Sequence, residues 1–155
     1  MDIHIKYMMR CLQLAENGRG YVSPNPMVGS VIVCDGRIIG EGFHRTYGEA
    51  HAEVNAVNSV KDKSLLKKSV IYVSLEPCSH YGKTPPCAQL IIDSKIPEVV
   101  VAVLDPNPLV SGRGVKMLQD AGLKVTVGVC ENAAKELNKA FFTSQLLHRP
   151  YIYLK

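Results

Sequence analysis

The chain has 155 residues and a mass of 17.0 kDa, with 46% hydrophobic and 21% charged residues. That composition excludes a disordered chain and fits one domain built on one core. The net charge is only +4, basic residues are scattered, and three Phe, seven Tyr and no Trp form no aromatic and basic stripe, so no nucleic acid is expected as a partner.

Residues 2–17 place Met8, Cys11, Leu12 and Ala15 on one helical face, and Gly18 and Gly20 end that helix. Asp2, Lys6 and Arg10 fall where a secretory signal would be apolar, which predicts a cytoplasmic protein. No apolar run approaches the length of a membrane span. Ser23-Pro24-Asn25-Pro26 excludes regular structure. Val28–Cys34 and Arg37–Gly42 predict two strands joined by a hairpin at Asp35-Gly36. His51–Val60 predicts a helix with Ala52, Ala56 and Val60 inward, and Lys61–Lys68 a solvated loop. A strand over Val70–Leu75, a helix over Pro85–Ser94 and a strand over Glu98–Leu104 follow. Asp105-Pro106-Asn107-Pro108 is a second double-proline loop. A helix over Gly112–Ala121, a strand over Lys124–Val129, one helix over Glu131–Leu147 and a strand at Tyr151–Leu154 complete the order. Ala133, Leu137, Ala140 and Phe141 fall on one side of that last helix. A hairpin followed by alternating strands and helices predicts an α/β sandwich with a mixed sheet, its later strands parallel. Ligands in such sheets bind beyond the carboxyl ends of strands. The loop after Gly42, Ser74–Cys87 and Asp105–Ser111 should converge there.

Five cysteines cannot all pair, so spacing decides their use. His51 at a helix start, Cys78 after a strand and Cys87 at the next helix start make three zinc ligands and leave a fourth position for water. Glu53, two residues past His51, can then reach that water and carry its proton to a leaving amine. Cys11, Cys34 and Cys130 lie in apolar contexts and are expected to be buried small hydrophobes.

His-x-Glu followed by Pro-Cys and a second Cys resembles the zinc-dependent nucleoside and nucleobase deaminases. Here eight residues separate Cys78 from Cys87, where most of that family has two. The segment Cys78-Ser79-His80-Tyr81-Gly82-Lys83-Thr84-Pro85-Pro86-Cys87 is similar to the riboflavin-biosynthesis branch, as are Pro24–Gly29, Gly48–Glu53, Asp105–Pro108 and Ser111–Gly114. The resemblance runs from about residue 4 to residue 155.

It implies a three-layer α/β/α sandwich with a mixed, roughly five-stranded sheet, one zinc per chain, and a small phosphorylated pyrimidine as substrate. The implied reaction is hydrolytic deamination of 2,5-diamino-6-ribosylamino-4(3H)-pyrimidinone 5′-phosphate. A cytidine, free-base or transfer-RNA deaminase, and a non-catalytic zinc module, are the competing readings. The same resemblance implies that Asn25 contacts the base, that His44, His80 and Lys83 contact the ribose phosphate, and that Asp105 and Asn107 contact sugar hydroxyls. Residues 1–149 would form the deaminase domain. Residues 150–155 would start a reductase domain, missing or separate, that alone would require NADPH. Apolar surface in residues 131–155 offers a pairing face for a homo-oligomer by analogy with the fold.

Overall fold

Asp35 and Gly36 adopt φ angles of +51° and +73°, the twist that closes a two-residue hairpin. They join β1 (Gly29–Cys34) to β2 (Arg37–Phe43). β1 also pairs antiparallel with β3 (Val70–Val73). β4 (Glu98–Val101) and β5 (Lys124–Val127) follow in parallel register. The sheet order is β2-β1-β3-β4-β5. The computed structural model describes residues 2–147; the strand expected at Tyr151–Leu154 lies outside them.

Successive strand residues point to opposite faces, and both faces are covered. Val31, Val33, Tyr72 and Val100 meet α1 (Ile3–Glu16) at Tyr7, Met8, Cys11 and Leu14, with Ala134 of α5 (Glu131–Leu137) and Phe142 of α6 (Lys139–Leu147). Ile32, Ile71, Val73, Val99 and Val101 meet α2 (Ala52–Ser59), α3 (Cys87–Asp93) and α4 (Arg113–Asp120) through Ala56, Val57, Ala88, Ile91 and Leu118. The result is the three-layer α/β/α sandwich with a mixed five-stranded sheet. Ile32, Ile71, Ile91 and Leu118 are fully buried. Each contributes roughly 1.5–3 kcal/mol over an exposed position, more than a surface ion pair does.

Three expectations are corrected. The last helix is two helices, because Asn138 leaves helical geometry and its amide pairs with the backbone of Met27. Its most buried residues are Ala134, Asn138 and Phe142, while of Ala133, Leu137, Ala140 and Phe141 it is Phe141 that packs, half-buried, against the core. Lys61–Lys68 is not all loop: Lys63–Lys68 forms a 3₁₀ helix that buries Leu66 and is capped by Asp62. Cys130 is only half-buried, since it caps α5 in the left-handed conformation with φ +59°.

Strands β3 and β4 are shorter than their apolar runs. Beyond Val73 and Val101 the chain keeps single bonds, from Ser74 N–H to Gly29 O and from Glu76 N–H to Val103 O. Those residues bend into the loops that carry the site. A glycine at position 42 lets α2 lie directly on β2, where a Cβ would meet the Ala52 carbonyl. That contact sets where α2 begins, and His51 is its N-cap.

Candidate active site

His51 makes no side-chain capping bond, so its ring is free to face the loop after β3. Its Nδ1 lies 3.8 Å from Cys78 Sγ and 3.5 Å from Cys87 Sγ. The three donor atoms lie within 4.8 Å of one another. Tetrahedral zinc, with bonds of about 2.0–2.1 Å to nitrogen and about 2.3 Å to sulfur, needs donors roughly 3.6–3.8 Å apart. The triangle therefore fits zinc. Cys87 opens α3, and its N–H donates to Cys78 Sγ at 3.2 Å. The Ala88 N–H donates to the Cys78 carbonyl at 3.1 Å, so the first turn of α3 holds the Cys78 loop in place.

A hydrogen bond from the Cys87 thiol, with help from His51, holds the Cys78 pKa well below the ordinary thiol range. Cys87 is pushed up, first by Cys78 and then by burial. Glu53 sits in the first turn of α2 and is 4% exposed. Burial pushes its carboxyl up to about 7, and the charge of Cys78 adds to that. A carboxyl in that range both takes and gives a proton near neutral pH.

These groups open on a cavity of about 250 Å³ whose walls include Asn25, Val28, His44, Leu75, Asp105 and Phe141. The structure thus brings His51, Cys78, Glu53, Asn25, His44 and Asp105 to one pocket, with Cys87 behind it. His44 is buried, and both of its ring nitrogens have protein partners. Nδ1 faces the Ala50 carbonyl at 3.1 Å, and Nε2 faces Asn25 Nδ2 at 3.2 Å. A carbonyl only accepts, so Nδ1 carries the proton and the Asn25 amide donates to Nε2. Asn25 is left with its oxygen and one N–H for the cavity. The His44 ring also packs edge-on against His51, with centroids 5.5 Å apart.

Asp105 is half-buried, and burial raises its pKa. It accepts from the Asn107 N–H at 2.9 Å. Asn107 in turn accepts from the Leu109 N–H at 3.0 Å through its side chain, and it is not among the residues lining this cavity. His80 is exposed and lines a second recess with Cys78, Glu76 and Asp105. Lys83 is exposed and lines neither cavity. Phe141 and Glu76 are among the wall residues that carry no site role in the sequence reading. Phe141 reads there only as part of one side of the last helix. Glu76 stands beside the ligand loop in the Glu76-Pro77-Cys78 segment, and that adjacency was the available signal.

Residues 1–103 match the model of the cytidine and deoxycytidylate deaminase zinc-binding region. The chain is 52% identical over 154 residues to the riboflavin biosynthesis protein RibD of Aquifex aeolicus, covering 99% of this chain and 43% of that protein. It is 48% identical over 136 residues to the diaminohydroxyphosphoribosylamino-pyrimidine deaminase of Buchnera aphidicola, covering 88% of this chain and 91% of that one. Its fold superposes with a TM-score of 0.90 on a Thermotoga maritima protein described as a diaminohydroxyphosphoribosylaminopyrimidine deaminase/5-amino-6-(5-phosphoribosylamino)uracil reductase. That match has 46% identity and covers 96% of this chain and 43% of that one. The chain thus spans less than half the length of the RibD relative and nearly all of the shorter deaminase. With a His51, Cys78 and Cys87 triangle that fits zinc, the chain belongs to the cytidine and deoxycytidylate deaminase family, in its diaminohydroxyphosphoribosylaminopyrimidine deaminase branch.

Proposed function

We propose that this chain hydrolyses the 2-amino group from 2,5-diamino-6-ribosylamino-4(3H)-pyrimidinone 5′-phosphate. Water enters, and 5-amino-6-ribosylaminouracil 5′-phosphate and ammonia leave. The observation that carries this reading is the buried Glu53 carboxylate in one cavity with the zinc-fitting triangle and the Asn25 amide. Zinc held by His51, Cys78 and Cys87 supplies a Lewis acid that lowers the pKa of water into the neutral range.

Glu53 accepts the proton of the attacking water and delivers it to the departing nitrogen. Its burial keeps bulk water from competing for that proton. The Asn25 oxygen and remaining N–H match a pyrimidinone edge, which offers both donors and acceptors. His44 has both ring nitrogens engaged, so it acts by holding Asn25 in that orientation. Asp105 faces the ribose hydroxyls from another wall of the cavity, and Asn107 shapes the turn behind it. His80 and Lys83, on the exposed part of the loop between the cysteines, meet the phosphate outside the cavity. The product keeps its ribosyl group unreduced, and reduction falls to a reductase partner, in cis or in trans, as the name of the Thermotoga relative indicates for that protein.

The test is turnover. The purified protein is incubated with the diaminopyrimidinone phosphate, cytidine, deoxycytidylate and guanine, with and without a chelator. Ammonia release from the first substrate alone, lost with the chelator, is expected. Release from cytidine alone would overturn the reading.

A further inference from the structure

Glu76 lies two residues before the ligand Cys78 and is only 6% exposed. Its carboxylate hydrogen bonds all come from backbone N–H groups. Oε1 accepts from Asp105 at 3.0 Å and from Gly112 at 3.0 Å, and Oε2 accepts from Val115 at 3.1 Å. Two of these donors belong to the start of α4. Gly112 is the N-cap of that helix, held at φ +84°, and has no side chain with which to cap it. Glu76 satisfies those orphan donors from a different element, and its charge meets the positive end of the helix. The third donor is Asp105, in the loop after β4. Next to Glu76, Gly114 allows α4 to press against the Pro77 carbonyl, where any Cβ would collide.

Both oxygens of one buried side chain therefore hold the loop after β4 and the first turn of α4 against the segment that delivers Cys78. A glutamine has a single oxygen and must turn its own N–H groups toward at least one of the three donors. We infer that Glu76 is a positioning residue for substrate: it fixes the Asp105 carboxylate relative to Cys78 and Glu53 and so sets the shape of the sugar-binding wall. This inference rests on the reading of Asp105 as a substrate contact.

The test has two arms on the full, zinc-loaded chain. Amide hydrogen exchange reads the three donors without any substrate. Glu76→Gln should lose protection by about tenfold or more at Asp105, Gly112 and Val115, while Ile71 and Val99 in the sheet keep theirs. Unchanged protection at Asp105 would overturn the inference. Kinetics read the consequence. Glu76→Gln should raise KM about tenfold with kcat changed less than about threefold and about one zinc per chain retained.

In the pair with Asp105→Ala, the double variant should show the KM of Asp105→Ala alone, because Glu76 acts through Asp105. KM effects that multiply would overturn the inference. Glu76→Asp keeps the charge but is one methylene short, and should give smaller losses at the same amides. If neither variant folds, Glu76 is a folding residue only and the inference fails. If the wild type turns over none of the offered substrates, the functional reading falls, while the exchange arm still decides whether Glu76 holds Asp105.

Discussion

Asn138 grips Met27 across 111 positions of sequence, accepting from the Met27 N–H at 2.8 Å and donating to the Met27 carbonyl at 2.8 Å. This pair locks the junction of α5 and α6 onto the loop that presents Asn25. Replacing Asn138 with Ala takes this partner from the N–H and carbonyl of the half-buried Met27. The expected cost is about 1–3 kcal/mol, or roughly 2–4 °C of melting temperature per kcal/mol at this chain length. Thermal unfolding checks it. KM should rise in the folded fraction, since Asn25 is two residues from Met27.

Glu53 separates chemistry from metal binding. Glu53→Gln preserves the shape of the side chain but cannot accept and release a proton. Zinc content should remain at about one per chain, while kcat falls by about 10²–10⁴-fold. Metal analysis and a single-turnover assay on the same sample decide it. A variant that kept full activity would remove Glu53 from the mechanism.

The ligand triangle ties metal to stability. Cys78→Ser or His51→Ala should bring zinc well below one per chain and lower the melting temperature toward that of the chelated wild type. Adding zinc back to the chelated wild type should restore both activity and melting temperature, since metal bound only by the folded state stabilises it. Differential scanning fluorimetry with and without chelator reads this.

His44 faces Asn25 with one ring nitrogen and the Ala50 carbonyl with the other, and the proposal that it holds Asn25 sets a specific kinetic expectation. His44→Phe fills the same space but offers no acceptor to the Asn25 amide. KM should rise about tenfold, equivalent to about 1.4 kcal/mol of lost binding, with a similar rise for substrate lacking the phosphate. A KM effect that vanishes on the phosphate-free substrate would instead put His44 at the phosphate.

Gly114 sits where α4 touches the Pro77 carbonyl. Gly114→Ala forces these two backbones apart, at about 1–3 kcal/mol for overpacking. Because Pro77 precedes the ligand Cys78, zinc affinity should fall along with stability. Chelator competition against the wild type measures it.

Much of this was legible in the residues. Short β-branched apolar runs mark β1, β3 and β4, and the Asp35-Gly36 pair fixes the hairpin. Residue type and spacing single out His51, Cys78 and Cys87, which the structure gathers, because a metal site demands particular donor atoms whatever surrounds them; Glu53, singled out beside His51, lines the same cavity. The split at Asn138 was not legible. Its helical pattern continues unbroken on both sides, and only the distant Met27 backbone stops it. Leu66 inside a lysine-rich run was hidden for a similar reason, since charge dominates the pattern and one buried leucine does not. Glu76 was missed because its partners are backbone groups, which leave no trace in side-chain identity. His44, an exposed-looking residue after a hairpin, gives no sign in sequence that Asn25 and Ala50 enclose it.

Phe141 has a consequence for how recognition is distributed along the chain. The zinc triangle and Glu53 all lie within residues 1–103, the stretch matched by the general zinc-binding region. Phe141 and Asp105, which help close the cavity, lie beyond it. The reactive centre and part of the mould around it thus occupy consecutive portions of one polypeptide. The two portions are joined where Glu76 accepts from Asp105, Gly112 and Val115 and where Gly114 meets Pro77, so a change in the later portion is felt at the segment that carries Cys78.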